Sequence, residues 1–217
     1  MLKKILRFFL YVILSIVMIV FIAYLFMDKP IPNGTQGQEA EQLADEVLVS
    51  LNKEGYDTLE YIGFTYDGNH HYQWNREENT VQVKWAEQDV FLNLNDKVQS
   101  FSLLELKAYE FFINDSFWLV APFKVRDSGV IRSIVDMEDA RGLLLTYTSG
   151  GVTPGDSYLW IVDSRGFPSS WKLWTSNIPL GGVELTWAGW KKLNNVWFST
   201  VHKGKIKDIL ITNLEVR

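Results

Sequence analysis

The sequence predicts a mainly β fold with a few helices (α+β): a single N-terminal transmembrane helix, then one large curved antiparallel sheet. Three observations predict it. An uncharged apolar run, FFLYVILSIVMIVFIAYLFM, fills positions 8–27. Beyond residue 57, apolar residues recur at every second position in about eleven or twelve short stretches parted by turn-forming clusters. Only two stretches in the rest of the chain keep the 3.6-residue period of a helix.

The first run is long enough to cross a bilayer, which takes about twenty apolar residues. Lys3, Lys4 and Arg7 precede it, and Tyr11 and Tyr24 lie toward its two ends. Basic residues before a span keep the N-terminus in the cytoplasm and place the downstream chain on the other side. For a bacterial chain this means a single-pass inner-membrane protein whose domain stands in the periplasm. A cleaved signal peptide is a second reading, but its apolar core runs only about 7–15 residues before a small-x-small site. Here the nearest such site, Thr35-Gln36-Gly37, lies well beyond a longer core. A third reading is a helix that docks on a partner's helix. Residues 1–28 are accordingly the cytoplasmic tail and anchor. Residues 29–38, KPIPNGTQGQ, hold two Pro and two Gly and read as a flexible linker, and 39–217 form the outer domain.

Three of the 21 basic residues and none of the 26 acidic ones lie in the first 27 positions, so the rest of the chain stands at −8 against −5 overall. An acidic body repels phosphate backbones, which argues against a nucleic-acid partner. The chain has no cysteine, which excludes disulfides, thiolate catalysis, Cys-ligated zinc and a lipidated N-terminal Cys.

Within the domain, Ala40, Leu43, Ala44, Val47, Leu48 and Leu51 form one stripe of an amphipathic helix over Glu39–Asn52, acidic in its first turn and closed by Gly55. Strands follow over Thr58–Tyr66, His70–Asn75, Thr80–Trp85, Asp89–Leu94 and Lys97–Phe101, joined by short turns as in a meander. Ser102 and Glu105 then make a capping box for a helix over Leu103–Ile113. That helix is apolar almost all round, so it is buried on more than one side, and Asn114-Asp115 ends it. An aromatic segment over 116–123 comes next. Strands resume at Ile131–Val135, Leu143–Tyr147, Tyr158–Val162, Ser170–Trp174, Val183–Trp187, Val196–His202 and Ile206–Leu214. Tyr158–Val162 and Val90-Phe91-Leu92 are apolar on both faces, which calls for helices laid across the concave side of the sheet.

Motifs of catalysis and metal binding have ordinary readings. His70 and His71 are neighbours on a strand and point to opposite faces, so they cannot chelate one ion together. Asp136, Glu138 and Asp139 lack the spacing of an EF-hand loop. The loop SGGVTPGD over 149–156 lacks the Gly-Lys-Ser/Thr ending of a phosphate loop and reads as a hairpin connection. No Gly-x-Ser-x-Gly elbow occurs, and no enzyme, cofactor or metal is expected. The strongest feature is nine tryptophans, all in the β region, which suit a sheet core, an apolar pocket or sugar stacking.

The order of elements resembles the LolA/LolB-like lipoprotein-carrier superfamily. It runs from an export segment and an amphipathic helix through a long meander and a hydrophobic helical interruption to further antiparallel strands. The resemblance spans about residues 39–217 and is one of layout. The segments over 114–129, 147–174 and 181–190 are also similar to uncharacterised exported proteins of Gram-negative bacteria. The resemblance implies an eleven-stranded half-barrel covered by helices, with a hydrophobic cavity for acyl chains. No residue here matches the carriers' functional arginine. A permanent anchor also departs from carriers that shuttle, which leaves a receptor, handover partner or sensor of lipidic molecules. The expectation is a membrane-tethered, non-catalytic module binding a lipid or lipoprotein, with Trp85, Phe111, Phe112, Trp118, Trp160 and Trp174 lining its cavity. A subunit contacting an envelope protein partner is the second expectation. A carbohydrate binder or hydrolase, marked by two carboxylates beside exposed tryptophans, is the third.

Overall fold

The architecture was read from a computed structural model that describes residues 2–149, 154–176, 180–205 and 207–217; the side chains at 2–5, 20, 21, 23 and 26 are not described. The side chains of Lys3 and Lys4, half of the loop predicted over 149–156 and the predicted strand start at Ile206 therefore lie outside the described set.

Helix α1 runs Leu2–Met27. Its described side chains, among them Phe8, Leu10, Ile13 and Ile16, are exposed. Among the described residues, no helix is long and apolar enough to cross a membrane.

The segment predicted as a free tether is bound to the domain. The Lys29 amide donates to the Gly181 carbonyl (3.0 Å), and Thr35 exchanges both backbone bonds with Ile134 (2.9 and 2.8 Å). A segment with two Pro and two Gly builds no core of its own, and backbone bonds to the domain set its path.

Helix α2 (Gln38–Leu51) buries the six-residue apolar stripe that its periodicity predicts. Its end differs from the expectation. Asn52 closes it in the left-handed region (φ 61°), while Gly55 falls inside a short following helix, α3 (Lys53–Asp57), and donates to the Asn52 side chain. The acidic outer face of α2 is tied down by arginines. Arg132 and Arg126 both bond Glu41, Arg126 also bonds Asp45, and Arg141 bonds Glu46.

Strands β1 (Tyr61–Tyr66), β2 (His70–Asn75), β3 (Thr80–Trp85) and β4 (Gln88–Asn93) form the meander. Alternation works here as expected: Val81, Val83 and Trp85 point inward, Gln82 and Lys84 outward. Phe91 corrects the expectation of two covered faces, since it stands 59% exposed on β4. The strand predicted over 97–101 is instead a 3-10 turn at Val98–Ser100, held by bonds back to Lys97, because the chain here turns into the capping box of α4.

Helix α4 (Leu103–Val120) runs straight through Asn114-Asp115, where it was predicted to stop. Asp disfavours helix interiors because its side chain competes for nearby backbone groups. Here Tyr72 and His70 on β2 occupy the Asp115 carboxylate instead. The N-terminal Leu103 and Leu104 are exposed, so the all-round burial expected of this helix holds only for its later turns.

The second half of the domain comprises β5 (Val130–Asp136), β6 (Arg141–Tyr147), β7 (Ser157–Val162), β8 (Pro168–Trp174) and β9 (Val183–Thr186). It continues with β10 (Lys191–Leu193), β11 (Val196–Phe198), β12 (Val201–His202) and β13 (Ile209–Val216). The strand predicted over 196–202 is broken. Ser199 and Thr200 bond the Ala188 and Gly189 carbonyls, and this turns the chain from its pairing with β10 to its pairing with β13.

The result is mainly β. A six-stranded antiparallel sheet has the order β12-β13-β1-β2-β3-β4, a five-stranded one the order β5-β6-β7-β8-β9, and β10-β11 is a separate hairpin. Neither sheet closes into a barrel. Isolated bridges, Leu185 to Gly204 and Ala188 to Val201, join the two sheets beside β9 and β12. One contiguous core fills the space between the inner faces, α2 and α4.

Candidate functional site

Helix α4 makes the site. Phe111 and Phe112 pack on the first sheet: Phe111 stacks on His70 (4.2 Å) and meets Trp85 edge-on, and Phe112 meets Trp74 and Tyr72. Two turns later, Phe117 and Trp118 pack on the second sheet, against Tyr147, Tyr158 and Trp171. One helix thus serves both sheets, and on its C-terminal half the three surfaces leave a cavity of about 520 Å³. Phe112, Ile113, Phe117, Trp118 and Val120 form the helix wall. Tyr147, Tyr158, Trp171 and Leu173 form the second-sheet wall, and Trp74 with Leu94 closes the first-sheet side. Polar residues also border the cavity, among them Lys124, Asp127, Ser128, Ser149, Asp156 and Thr175. Lys124 and Asp127, three residues apart, are ion-paired.

Two of the six predicted lining residues, Phe112 and Trp118, border this cavity. Four lie elsewhere. Phe111 and Trp85 face each other over the first sheet. Trp160 is 1% exposed, packed between Trp171 and Trp187. Trp174 points away, and its indole N–H donates to the Lys29 carbonyl (2.7 Å). Trp74, Phe117, Tyr147, Tyr158 and Trp171 were not predicted as lining. Strand alternation carried a signal for Trp171: it shares a face of β8 with Leu173, whereas Trp174 takes the opposite face.

Behind the wall stands an aromatic stack. Trp171 meets Trp118, Trp160 and Trp187 at steep ring angles with centroids 4.8–5.0 Å apart. The indole N–H groups of Trp160, Trp171 and Trp187 are buried and have no hydrogen-bond partner among the described residues. Edge-to-face rings supply N–H···π contacts at such places. His202, fully buried against Trp187 and Trp118, points Nδ1–H at the Thr186 carbonyl (3.1 Å). Burial pushes its imidazole down to about 4.

A second polar feature ties α4 to the sheet. Asp115 Oδ2 accepts from the Tyr72 hydroxyl (2.5 Å) and from His70 Nδ1 (2.6 Å). Burial holds this carboxyl above the usual carboxylate range, opposed by those two bonds, and burial beside Asp115 raises the Tyr72 phenol as well. Asp115→Ala is expected to cost about 2–3 kcal/mol, because it leaves the buried Tyr72 hydroxyl without an acceptor. Denaturant unfolding of D115A, Tyr72→Phe and the double variant checks this. Strictly additive effects would mean that the two groups do not couple.

Among the described residues, no group of three or more His, Asp or Glu side chains is placed to hold a metal ion. The cavity offers a mainly apolar slot bordered by a few charged and hydroxylated side chains, an arrangement suited to holding an amphipathic molecule.

No family model and no curated protein matches the sequence. Among solved structures, a DUF1329 family protein from Desulfovibrio piger aligns over 82% of this chain and 93% of its own, with 10% identity and a TM-score of 0.39. At that level of likeness, nothing is carried from it to this chain.

Proposed function

We propose that the chain is a membrane-tethered, extracytoplasmic binding module whose α4 cavity takes the acyl chain of a lipid or lipoprotein. The observation that carries this reading is the cavity itself. Its volume of about 520 Å³ falls within the range of small-molecule sites. Each buried methylene contributes about 0.8 kcal/mol, so an apolar slot of this size supports useful affinity without specific polar contacts. The uncharged run over 8–27, continuous with the helical backbone of α1 and preceded by basic residues, supports an inner-membrane anchor with the domain in the periplasm. The two sheets, bridged beside β9 and β12, leave β4 and β5 as outer edges of one antiparallel succession, which supports a half-barrel of the LolA/LolB-like kind. A tethered domain fits a receptor, handover partner or sensor better than a shuttling carrier.

Tryptophan emission tests this directly, because the first tryptophan is Trp74 and α1 contributes none. With the full chain in lipid nanodiscs, a fatty acid brominated along its chain is expected to quench emission saturably. The unbrominated chain is expected not to, and Trp118→Phe to reduce the quenched fraction. Equal emission with the two fatty acids at saturation would end the acyl-chain reading.

A further inference from the structure

The geometry points to loading of the cavity from the membrane leaflet in which the anchor sits, so that the ligand is a bilayer lipid entering acyl chain first. This inference rests on the binding reading above and adds the source of the ligand. Three bonds clasp the end of α1 to the domain. The Gly181 amide donates to Asp28 Oδ1 (2.7 Å), the Lys29 amide donates to the Gly181 carbonyl (3.0 Å), and the Trp174 indole donates to the Lys29 carbonyl (2.7 Å). The fit is close on the domain side. A Cβ at Gly181 would stand 2.5 Å from the Lys29 carbonyl oxygen, and Gly182 (φ +74°) brings the backbone against the Lys29 side chain.

The clasp and the cavity share a strand. Trp174 holds Lys29, while its neighbours Leu173 and Thr175 line the cavity. Successive residues of an extended chain point to opposite faces, so the anchor grips the outer face of the same short segment whose inner face borders the cavity. Consecutive Cα atoms are about 3.8 Å apart, and the cavity lining at Thr175 is therefore on the order of 10 Å from the Lys29 carbonyl that the Trp174 indole holds. A flexible tether would let the domain range away from the surface. This one, fastened again where Thr35 pairs with Ile134, keeps the rim beside the leaflet. An acyl chain that moves from leaflet to cavity stays in apolar surroundings, whereas one arriving through water bears the full cost of exposure.

The test uses the full chain in nanodiscs whose phospholipid carries a photoreactive diazirine on one acyl chain. Peptide mapping after illumination locates the crosslinks. A second arm delivers a diazirine fatty acid on albumin from the aqueous side. Labelling of the peptides that hold Phe117–Trp118 or Leu173–Thr175 from the leaflet lipid is the expected result. A variant with ten Gly and Ser residues inserted between Met27 and Asp28 keeps the clasp on the domain but frees it from the helix. Its leaflet labelling is expected to fall roughly tenfold as the local concentration of bilayer lipid at the rim drops, with albumin-delivered labelling unchanged. Gly181→Val, which displaces Lys29, is expected to act in the same direction. Cavity labelling from albumin alone, or leaflet labelling that the insertion leaves intact, would overturn leaflet loading while the binding reading stands. No cavity labelling in either arm would overturn both.

Discussion

Trp171→Ala is expected to destabilise the domain by about 4 kcal/mol, near the upper end for a buried aromatic truncated to a methyl group. Trp171 is fully buried and lies within ring-contact range of Phe117, Trp118, Tyr158, Trp160 and Trp187. It joins two residues of α4 to three aromatic residues of the second sheet and its continuation. The loss has two parts: the transfer of a large apolar surface, and the void left where the surrounding rings cannot close in. The void would merge with the existing cavity, so a ligand with a bulkier chain could recover part of the stability by mass action. Thermal and denaturant unfolding of the full chain, with and without fatty acid, measures both. A shift below about 1 kcal/mol would mean that the stack relaxes around the gap, contrary to the rigidity its interlocked ring angles imply.

Acid is expected to weaken the fold through His202. Its imidazole sits near 4 in the folded chain, against 6.5 for the free group, and the cause is burial rather than a neighbouring charge. Between those values the unfolded chain binds a proton that the folded chain refuses, so stability rises with pH there. The contribution is fully present above about pH 6.5 and is lost as the pH falls toward 4, by about 3 kcal/mol in all. Asp115 acts in the opposite sense. Its raised carboxyl lets the folded chain keep a proton longer than the unfolded chain does, so acid favours the fold at that position and offsets part of the loss. Unfolding midpoints of the native chain and His202→Gln across pH 4 to 7 separate the two. The Gln variant can still donate to Thr186, and its profile is expected to be flatter. Parallel profiles would remove His202 from the account.

How much of this was legible in the sequence depended on whether local pattern or remote contact decided the outcome. Strands β2 and β3 begin and end where their alternation and turn residues place them, because each is flanked by short hairpin turns and pairs with its sequence neighbours. The stripe on α2 was equally legible. The run of α4 past Asn114-Asp115 was not, since the partners of Asp115 lie 43 and 45 residues away on β2. Strand β10 is three residues long and leaves too little periodicity to notice. For the cavity, composition indicated that aromatics surround something but not which of them border empty space. Trp160 and Trp118 are alike as sequence; one is sealed behind Trp171 and the other faces the void. The clasp on Lys29 was hidden in the same way, because a Pro/Gly-rich segment carries no pattern that names the surface it will bind.

The place of β13 has a consequence for timing. The last strand of the chain, Ile209–Val216, lies inside the first sheet between β12 and β1, and its end pairs with the start of the meander, Val216 opposite Ile62. The first sheet therefore lacks an interior strand until residues 209–216, made long after β1, take their place between β12 and β1. Non-local pairing of this kind is slow, since a loop of some 150 residues must close before any of its bonds to β1 form. Until that strand arrives, β1 keeps an unpaired edge, so the meander waits on a partner made long after it.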